Sequence, residues 1–120
     1  MTFESTLREL LGRGLAVRFR ARGHSMHPTI RCGDELRVVA VNAADLARGD
    51  VVLARHERGL TAHRVVRIDG ARIVTRGDNC SHDDPAFTPG DVLGRIVLTI
   101  FSRWRRRLSA AGAVLWQLVR

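Results

Sequence analysis

Lysine is absent from this chain of 120 residues, and all twenty of its basic residues are arginine. The absence excludes any mechanism in which a lysine amine is the general base. Tyrosine is also absent, and aromatic residues make up only 5% of the chain. We therefore predict a core of Val, Leu, Ile and Ala in a single domain, because the hydrophobic content of 45% is ordinary for a globular protein of this length.

Cysteine is scarce, and the spacing of Cys32 and Cys80 matches no metal-binding or redox motif. We predict two reduced thiols, no metal and no cofactor. The N-terminus lacks the basic stretch and apolar run of a secretory signal. No segment reaches the ~18–20 apolar residues that a transmembrane helix needs. These absences lead us to expect a cytoplasmic protein.

The net charge of +8 indicates an anionic neighbour, which could be a membrane surface, a nucleic acid or an acidic substrate. The arginines are scattered through the chain, and aromatic residues that could stack on bases are nearly missing. A basic nucleic-acid-binding domain is therefore the least favoured function, and no nucleic-acid partner is expected.

The periodicity of the apolar residues predicts a mainly β fold with a short helix at each end. Residues 3–12 have helical spacing, and the following segments have the alternation or apolar runs of strands. The predicted strands cover residues 15–21, 35–41, 51–55, 60–68, 71–75 and 92–100. We expect one domain over residues 1–120, with its core between about residues 15 and 100.

A basic amphipathic helix is predicted over residues 102–119, where apolar residues recur at steps of three and four. It could lie on an anionic membrane as a peripheral attachment. Its apolar face could instead pack on the β core, as short helices beside small sheets usually do, and this second arrangement is favoured.

Ser25 lies in a segment that Gly23 and Pro28 make stiff and bent. A serine held in this way can be a nucleophile if a base and an oriented acid reach it. Among the five histidines, His63 is the one embedded in a predicted strand, where packing would hold it as a rigid base.

The loop over residues 77–90 is rich in carboxylates, and one of them could orient the imidazole and stabilise its charged form. The three that could do so are Asp78, Asp83 and Asp84. The sequence does not tell which of them reaches His63.

Several segments, in this order, resemble the motifs of signal peptidase I and its relatives. They are Gly23–Thr29 for the nucleophile, Gly49–Val52, Ala62–Val66 for the base, Thr75–Asn79 with Asp83–Asp84 for the acid, and Asp91–Arg95 for a closing strand. The similarity covers roughly residues 17–100, and several motifs in register are far more specific than one. Bacterial signal peptidases and LexA-like repressors carry lysine as the base. The histidine found here is the form of the endoplasmic-reticulum and archaeal-type branch.

The resemblance implies a signal-peptidase/LexA-like fold, a small β-barrel-like sheet. It implies that Ser25 is the nucleophile, His63 the general base and Asp84 the acid, with Asp78 as a supporting carboxylate. The implied function is that of a serine endopeptidase which cleaves a peptide or precursor protein after a small residue. A non-catalytic peptide-binding relative is the alternative.

The same resemblance implies a substrate site beside Ser25. Met26 would line a shallow pocket for the small residue. Gly23 stands where some relatives have a hydroxyl that binds the oxyanion, so a second donor would come from the backbone or from His24. Typical relatives have a membrane anchor before the nucleophile, and none is expected here. The oligomeric state stays open.

Overall fold

The computed structural model of the protein describes residues 2–57 and 59–98, together with the backbone of residues 113–119. Within these residues, one helix comes first and all of the longer elements after it are strands, so the predicted mainly β fold is confirmed. In chain order, the elements are α1 (Phe3–Gly12), β1 (Val17–Ala21), β2 (Glu35–Val39), a 3₁₀ turn (Ala43–Asp45), β3 (Val51–His56), β4 (Gly59–Asp69), β5 (Arg72–Arg76), a second 3₁₀ turn (Pro89–Asp91), β6 (Val92–Val97) and β7 (Ala113–Val119).

The strands form one sheet in the order β5-β4-β3-β6-β2-β1-β7. Strands β1 to β6 pair antiparallel with one another, whereas β7 pairs parallel with β1. Strand β7 at one end of this order also approaches β4, which is next to the other end. The sheet is therefore curled, and its curvature brings β1 and β4 to the two sides of β7.

Helix α1 packs against β1 and β6. It begins at a capping box in which Thr2 Oγ1 accepts the N–H of Ser5 and Ser5 Oγ accepts the N–H of Thr2, both at 3.0 Å. Leu7 and Leu11 lie one turn apart on the inner face of the helix and are buried in the core.

Strand β3 is buried on both faces, which explains its continuous apolar run Val51-Val52-Leu53-Ala54. Val51 and Leu53 face the larger core with α1, β1 and β2. Val52 and Ala54 face a second core that includes Phe87. Strand β4 pairs with β3 from Gly59 to Arg64 and is therefore held against the most deeply buried strand of the sheet.

The C-terminal helix predicted over residues 102–119 is wrong for its last part, because Ala113–Val119 form strand β7. Residues 102–112 lie outside the described residues. Valine, leucine and tryptophan dominate residues 113–119 and suit a strand. In addition, the edge of β1 that faces away from β2 would have unpaired N–H and C=O groups without β7, and pairing with β7 satisfies them.

Candidate active site

Ser25 lies in a tight turn that follows β1. Gly23 has φ +88°, a left-handed conformation that favours glycine, and it turns the chain out of the strand. Within the turn, the N–H of His27 donates to the carbonyl of His24 at 3.1 Å, and the N–H of Ile30 donates to the carbonyl of Met26 at 2.9 Å. The turn therefore fixes the backbone on both sides of the serine.

His63 connects Ser25 to Asp84. Its Nε2 lies 3.0 Å from Ser25 Oγ, and its Nδ1 lies 2.7 Å from Asp84 Oδ2. A carboxylate accepts hydrogen bonds, so Nδ1 carries the proton and Nε2 is free to accept the serine hydroxyl hydrogen. His63 is only 7% exposed and lies on a paired strand, which limits the movement of its ring.

Asp84 is held in place by β5 through Thr75. The Thr75 hydroxyl donates to Asp84 Oδ2 at 2.7 Å, and the N–H of Asp84 donates to the Thr75 carbonyl at 2.8 Å. Burial raises the pKa of Asp84, but the hydrogen bonds from His63 and Thr75 together outweigh it and keep this pKa below its ordinary value. The carboxyl group is therefore ionised near neutral pH, as an acceptor for the imidazole N–H must be.

Asp78 contacts Arg64 rather than His63. Arg64 binds its carboxylate with two N–H groups, Nε and Nη2, each at 2.8 Å, and the Thr29 hydroxyl donates to it at 2.6 Å. The hydrogen bond from Arg64 lowers the pKa of Asp78 by more than burial raises it. Arg64 also donates to the Gly49 carbonyl at 2.7 Å. Asp78 thus joins strand β4 to the turn of residues 23–30 that carries Ser25, here called the serine turn, and to the loop of residues 77–90, here called the acid loop.

Asp83 takes no direct part in this arrangement. Its carboxylate lies 3.5 Å from Arg76, and both side chains are substantially exposed. Of the three candidate carboxylates, Asp84 contacts His63. Asp78 binds the neighbouring Arg64, and Asp83 lies beside Arg76.

The acid loop and the serine turn are in direct contact at Gly77 and Asn79. The N–H of Asn79 donates to the Ser25 carbonyl at 2.8 Å, and its side-chain amide donates to the His24 carbonyl at 3.1 Å. A Cβ on Gly77 would lie 2.5 Å from the Ser25 carbonyl oxygen and 3.1 Å from His63 Nε2. Only a residue without a side chain allows this approach.

A small pocket lies beside Ser25 on the face of β4 that carries Ala62. Its wall includes Gly23, Met26 and Ile30, and its free volume is only about 10 Å³. Met26 is buried, and its Sδ accepts the N–H of Asp78 at 3.2 Å. His24 is exposed on the surface. Of the three predicted substrate-binding residues, Gly23 and Met26 thus line the pocket, and the part assigned to His24 stays a prediction.

A larger cavity of about 890 Å³ is bordered by His63 and Asp84 but not by Ser25. His56 and Phe87 form part of its wall, with their rings edge to face at 5.1 Å. His56 Nε2 is buried and has no hydrogen-bond partner within the described parts of the chain.

Sequence reasoning missed Thr75, Asn79 and Arg64 as individual contributors. The signal for Thr75 was available, because it shares the buried side of β5 with Ile73, where a hydroxyl needs a partner. The signal for Arg64 was its position directly after His63, on the opposite face of the strand. Asn79 offered no such signal, since asparagine in a loop usually serves its own turn.

In the part of the chain that the structure describes, no helix is long and apolar enough to cross a membrane. The two cysteines are unpaired and exposed. A family model described as Peptidase S24-like matches residues 6–97, which include all of the residues of this site. No curated protein matches the chain.

Proposed function

Because this chain belongs to the Peptidase S24-like family, within the serine-peptidase superfamily, we propose that it is a serine endopeptidase with Ser25 as nucleophile, His63 as general base and Asp84 as orienting acid. The observation that carries the proposal is the continuous chain of two hydrogen bonds, 3.0 Å and 2.7 Å long, from the Ser25 hydroxyl to the Asp84 carboxylate. The histidine at the base position, in a chain without lysine, further supports the histidine-base branch.

In this mechanism, His63 Nε2 takes the hydroxyl proton as Ser25 Oγ attacks the carbonyl carbon of the substrate. The imidazolium then gives the proton to the leaving amine as the peptide C–N bond breaks, and an acyl-enzyme remains. A water molecule, activated by the same imidazole, attacks the ester and releases the second product. Asp84 keeps the ring oriented and stabilises its positive charge, and Thr75 holds Asp84.

Asp78 has a positioning role in this proposal. It accepts hydrogen bonds from Arg64, which follows the base, and from Thr29, which belongs to the serine turn. Its N–H contacts Met26, the residue after the nucleophile. These contacts hold the nucleophile and the base at a fixed separation, and such alignment is a large part of what enzymes contribute to a reaction rate.

The developing oxyanion requires hydrogen-bond donors near Ser25. We assign the first donor to the N–H of Ser25 itself, since the turn fixes the orientation of this group. Gly23 contributes no hydroxyl, so this site relies on backbone donors more than relatives with a hydroxyl at that position.

The substrate is proposed to be a peptide or protein segment that is cut after a small residue. The pocket beside Ser25 has little free volume, which favours alanine, glycine or serine before the scissile bond. Within the described residues, strand β4 between Gly59 and His63 pairs with β3 on one edge, and its pairing with β5 begins at Arg64. The other edge, which β7 approaches, is where an extended peptide would add to the sheet as a strand.

The test is covalent labelling with an acylating serine reagent, followed by mass spectrometry of the modified peptide. We expect the wild-type chain to be modified at Ser25. Ser25→Ala should abolish the reaction, and His63→Ala should slow it by about 10²-fold or more. Ser81→Ala is the matched control, because this serine lies in an exposed part of the acid loop, and it should react like the wild type.

Labelling of Ser25→Ala at the wild-type rate would contradict the assignment of the nucleophile. A wild-type chain that resists the reagent but binds a peptide ending in alanine would support the non-catalytic alternative, because the site would then have kept its groove without the chemistry.

A further inference from the structure

The free edge of β1 is occupied by a segment of the same chain. On one edge, β1 pairs antiparallel with β2, from Val17 opposite Val38 to Arg20 opposite Glu35. On the other edge it pairs parallel with β7, from Val17 opposite Ala113 to Ala21 opposite Val119. Since β1 leads directly into the Ser25 turn, β7 runs along the approach to the nucleophile.

Strand β4 is the second wall of the same groove. The chain of antiparallel pairings from β1 through β2, β6 and β3 gives β4 the same direction as β1. Strand β7 pairs parallel with β1, so it also runs in the direction of β4, which it approaches. One wall carries Ser25 at its end and the other carries His63, so the space between them is where an extended substrate has to lie.

We propose that residues 113–119 occupy the substrate groove of the serine site, and that a substrate binds by displacing this strand. The inference rests on the proposed function, which defines the groove. It also deepens that function, because the resident strand shows which chemistry the groove accepts. The seven residues Ala-Val-Leu-Trp-Gln-Leu-Val are uncharged, and six are apolar, in a chain in which 27% of residues are charged. The substrate class is an extended, uncharged, mainly apolar segment.

Occupation by β7 weakens substrate binding, because the apparent affinity is the intrinsic affinity multiplied by the fraction of molecules in which the groove is open. If the strand leaves about one tenth of the time, the apparent KM is about ten times the intrinsic value. The rate of the chemical step is unaffected, because a bound substrate meets the same Ser25 and His63. Loss of the pairing between β7 and β1 should therefore lower KM and leave kcat unchanged.

The first experiment replaces two adjacent residues of β7 in the full chain by proline, Leu118→Pro with Val119→Pro. Adjacent N–H groups of a strand point to opposite sides, so one of the two prolines removes a hydrogen bond to β1. For a peptide substrate of mainly apolar residues ending in alanine, we expect KM to fall by about ten-fold with kcat unchanged. The control Leu118→Val with Val119→Ile keeps both N–H groups and should retain the wild-type KM.

A synthetic peptide with the sequence of residues 113–119 should inhibit the proline variant competitively, whereas a scrambled peptide of the same composition should not. An unchanged or higher KM in the proline variant, together with no inhibition by the peptide, would overturn the inference.

The second experiment needs neither catalysis nor a mutation in β7. Amide hydrogen exchange is measured on the full-length Ser25→Ala chain, with and without a saturating apolar peptide that ends in alanine. Displacement predicts at least a ten-fold faster exchange of the amides of residues 113–119 when the peptide is bound. Unchanged protection with the peptide bound would show that β7 is only a structural strand. Because this readout does not require turnover, it also tests the inference if Ser25 fails to react with the acylating reagent.

Discussion

Gly77→Ala should slow the reaction of Ser25 with an acylating reagent without unfolding the protein. The added Cβ would lie 2.5 Å from the Ser25 carbonyl oxygen and 2.8 Å from Cys80 Sγ. Real Cβ contacts stay beyond 3.0 Å, so the acid loop and the serine turn must separate by at least 0.5 Å. The nearest obstacle is a backbone atom, which cannot rotate away as a side chain could.

The separation acts directly on the hydrogen bond between Ser25 and His63. This bond is 3.0 Å long, and an extension of 0.5 Å brings it to the limit at which a hydrogen bond still forms. Misplacement of a reacting group by about 1 Å can cost about 10²-fold in rate. We therefore expect Gly77→Ala to slow acylation of Ser25 by about 10- to 100-fold. Overpacking of this kind costs about 1–3 kcal/mol, which the fold should survive with a lower Tm.

The assay is the rate of modification of Ser25 by an acylating reagent, with a thermal unfolding curve for each variant. Gly90→Ala is the matched control, because the nearest atom to its added Cβ would be Thr88 Oγ1 at 3.9 Å, an ordinary contact. It should react like the wild type. If Gly77→Ala also reacted at the wild-type rate while folded, the contact between the two loops would not determine the position of the nucleophile, and our reasoning about the site would be refuted.

Three further predictions concern the surroundings of the Ser25–His63–Asp84 hydrogen-bond relay. Thr75→Val removes the hydroxyl that donates to Asp84, so we expect kcat to fall by about ten-fold. Thr75→Ser keeps a hydroxyl and should retain most of the wild-type kcat. Equal values of kcat for the two variants would contradict a role for the hydroxyl. The pKa of Asp78 in the folded protein lies below its ordinary value of 3.8, so its ion pair with Arg64 stabilises the fold above that pH and ceases to do so as the pH falls through the lower folded-state value. Asp78→Asn should accordingly lower Tm at pH 7, and this drop in Tm should shrink as the pH is lowered below 3.8; a drop in Tm that stays the same over that range would argue against the ion pair. Ala62→Val fills the pocket beside Ser25, and we expect kcat/KM for a substrate with alanine before the scissile bond to fall by about ten-fold or more relative to one with glycine; an unchanged ratio would place the small residue elsewhere.

The sheet was largely predictable because its strands have strong local patterns. The apolar run at Val51–Ala54 and the long segment over residues 60–68 correspond to β3 and β4. Their ends were less predictable: the strand expected over residues 92–100 is described as Val92–Val97, and the one over residues 15–21 begins at Val17. Strand ends depend on which partner stops pairing, and the local sequence does not contain this information.

The resemblance to a known family named Ser25, His63 and Asp84 together, whereas the residues alone left the choice among Asp78, Asp83 and Asp84 open. Asp83 and Asp84 are neighbours with identical chemistry, and the selection is made by the backbone. The N–H of Asp84 donates to the Thr75 carbonyl, which turns one carboxylate to the histidine and leaves the other beside Arg76. A contact between the loop and β5 decides the outcome, and it is invisible in the order of residues.

The C-terminal segment is where the prediction from sequence was wrong. Counting apolar residues from Trp104 gave a helical period, and that period was extended to residue 119. Strand β7 forms because another part of the chain offers it an unpaired edge. Tertiary contacts override local periodicity in this way wherever a segment of mixed propensity meets an exposed strand.

The acid loop is fastened at two places, where Asn79 meets the serine turn and where Asp84 meets β5, and the short stretch between them is exposed. The geometry of the relay therefore does not depend on the length of that stretch. A peptide tag or a fluorescent reporter inserted after Ser81 would lie two residues beyond Asn79, which contacts Ser25, and should leave the alignment of the Ser25 hydroxyl intact. Such an insertion would turn the loop into a sensor that reports directly when the neighbouring groove is filled.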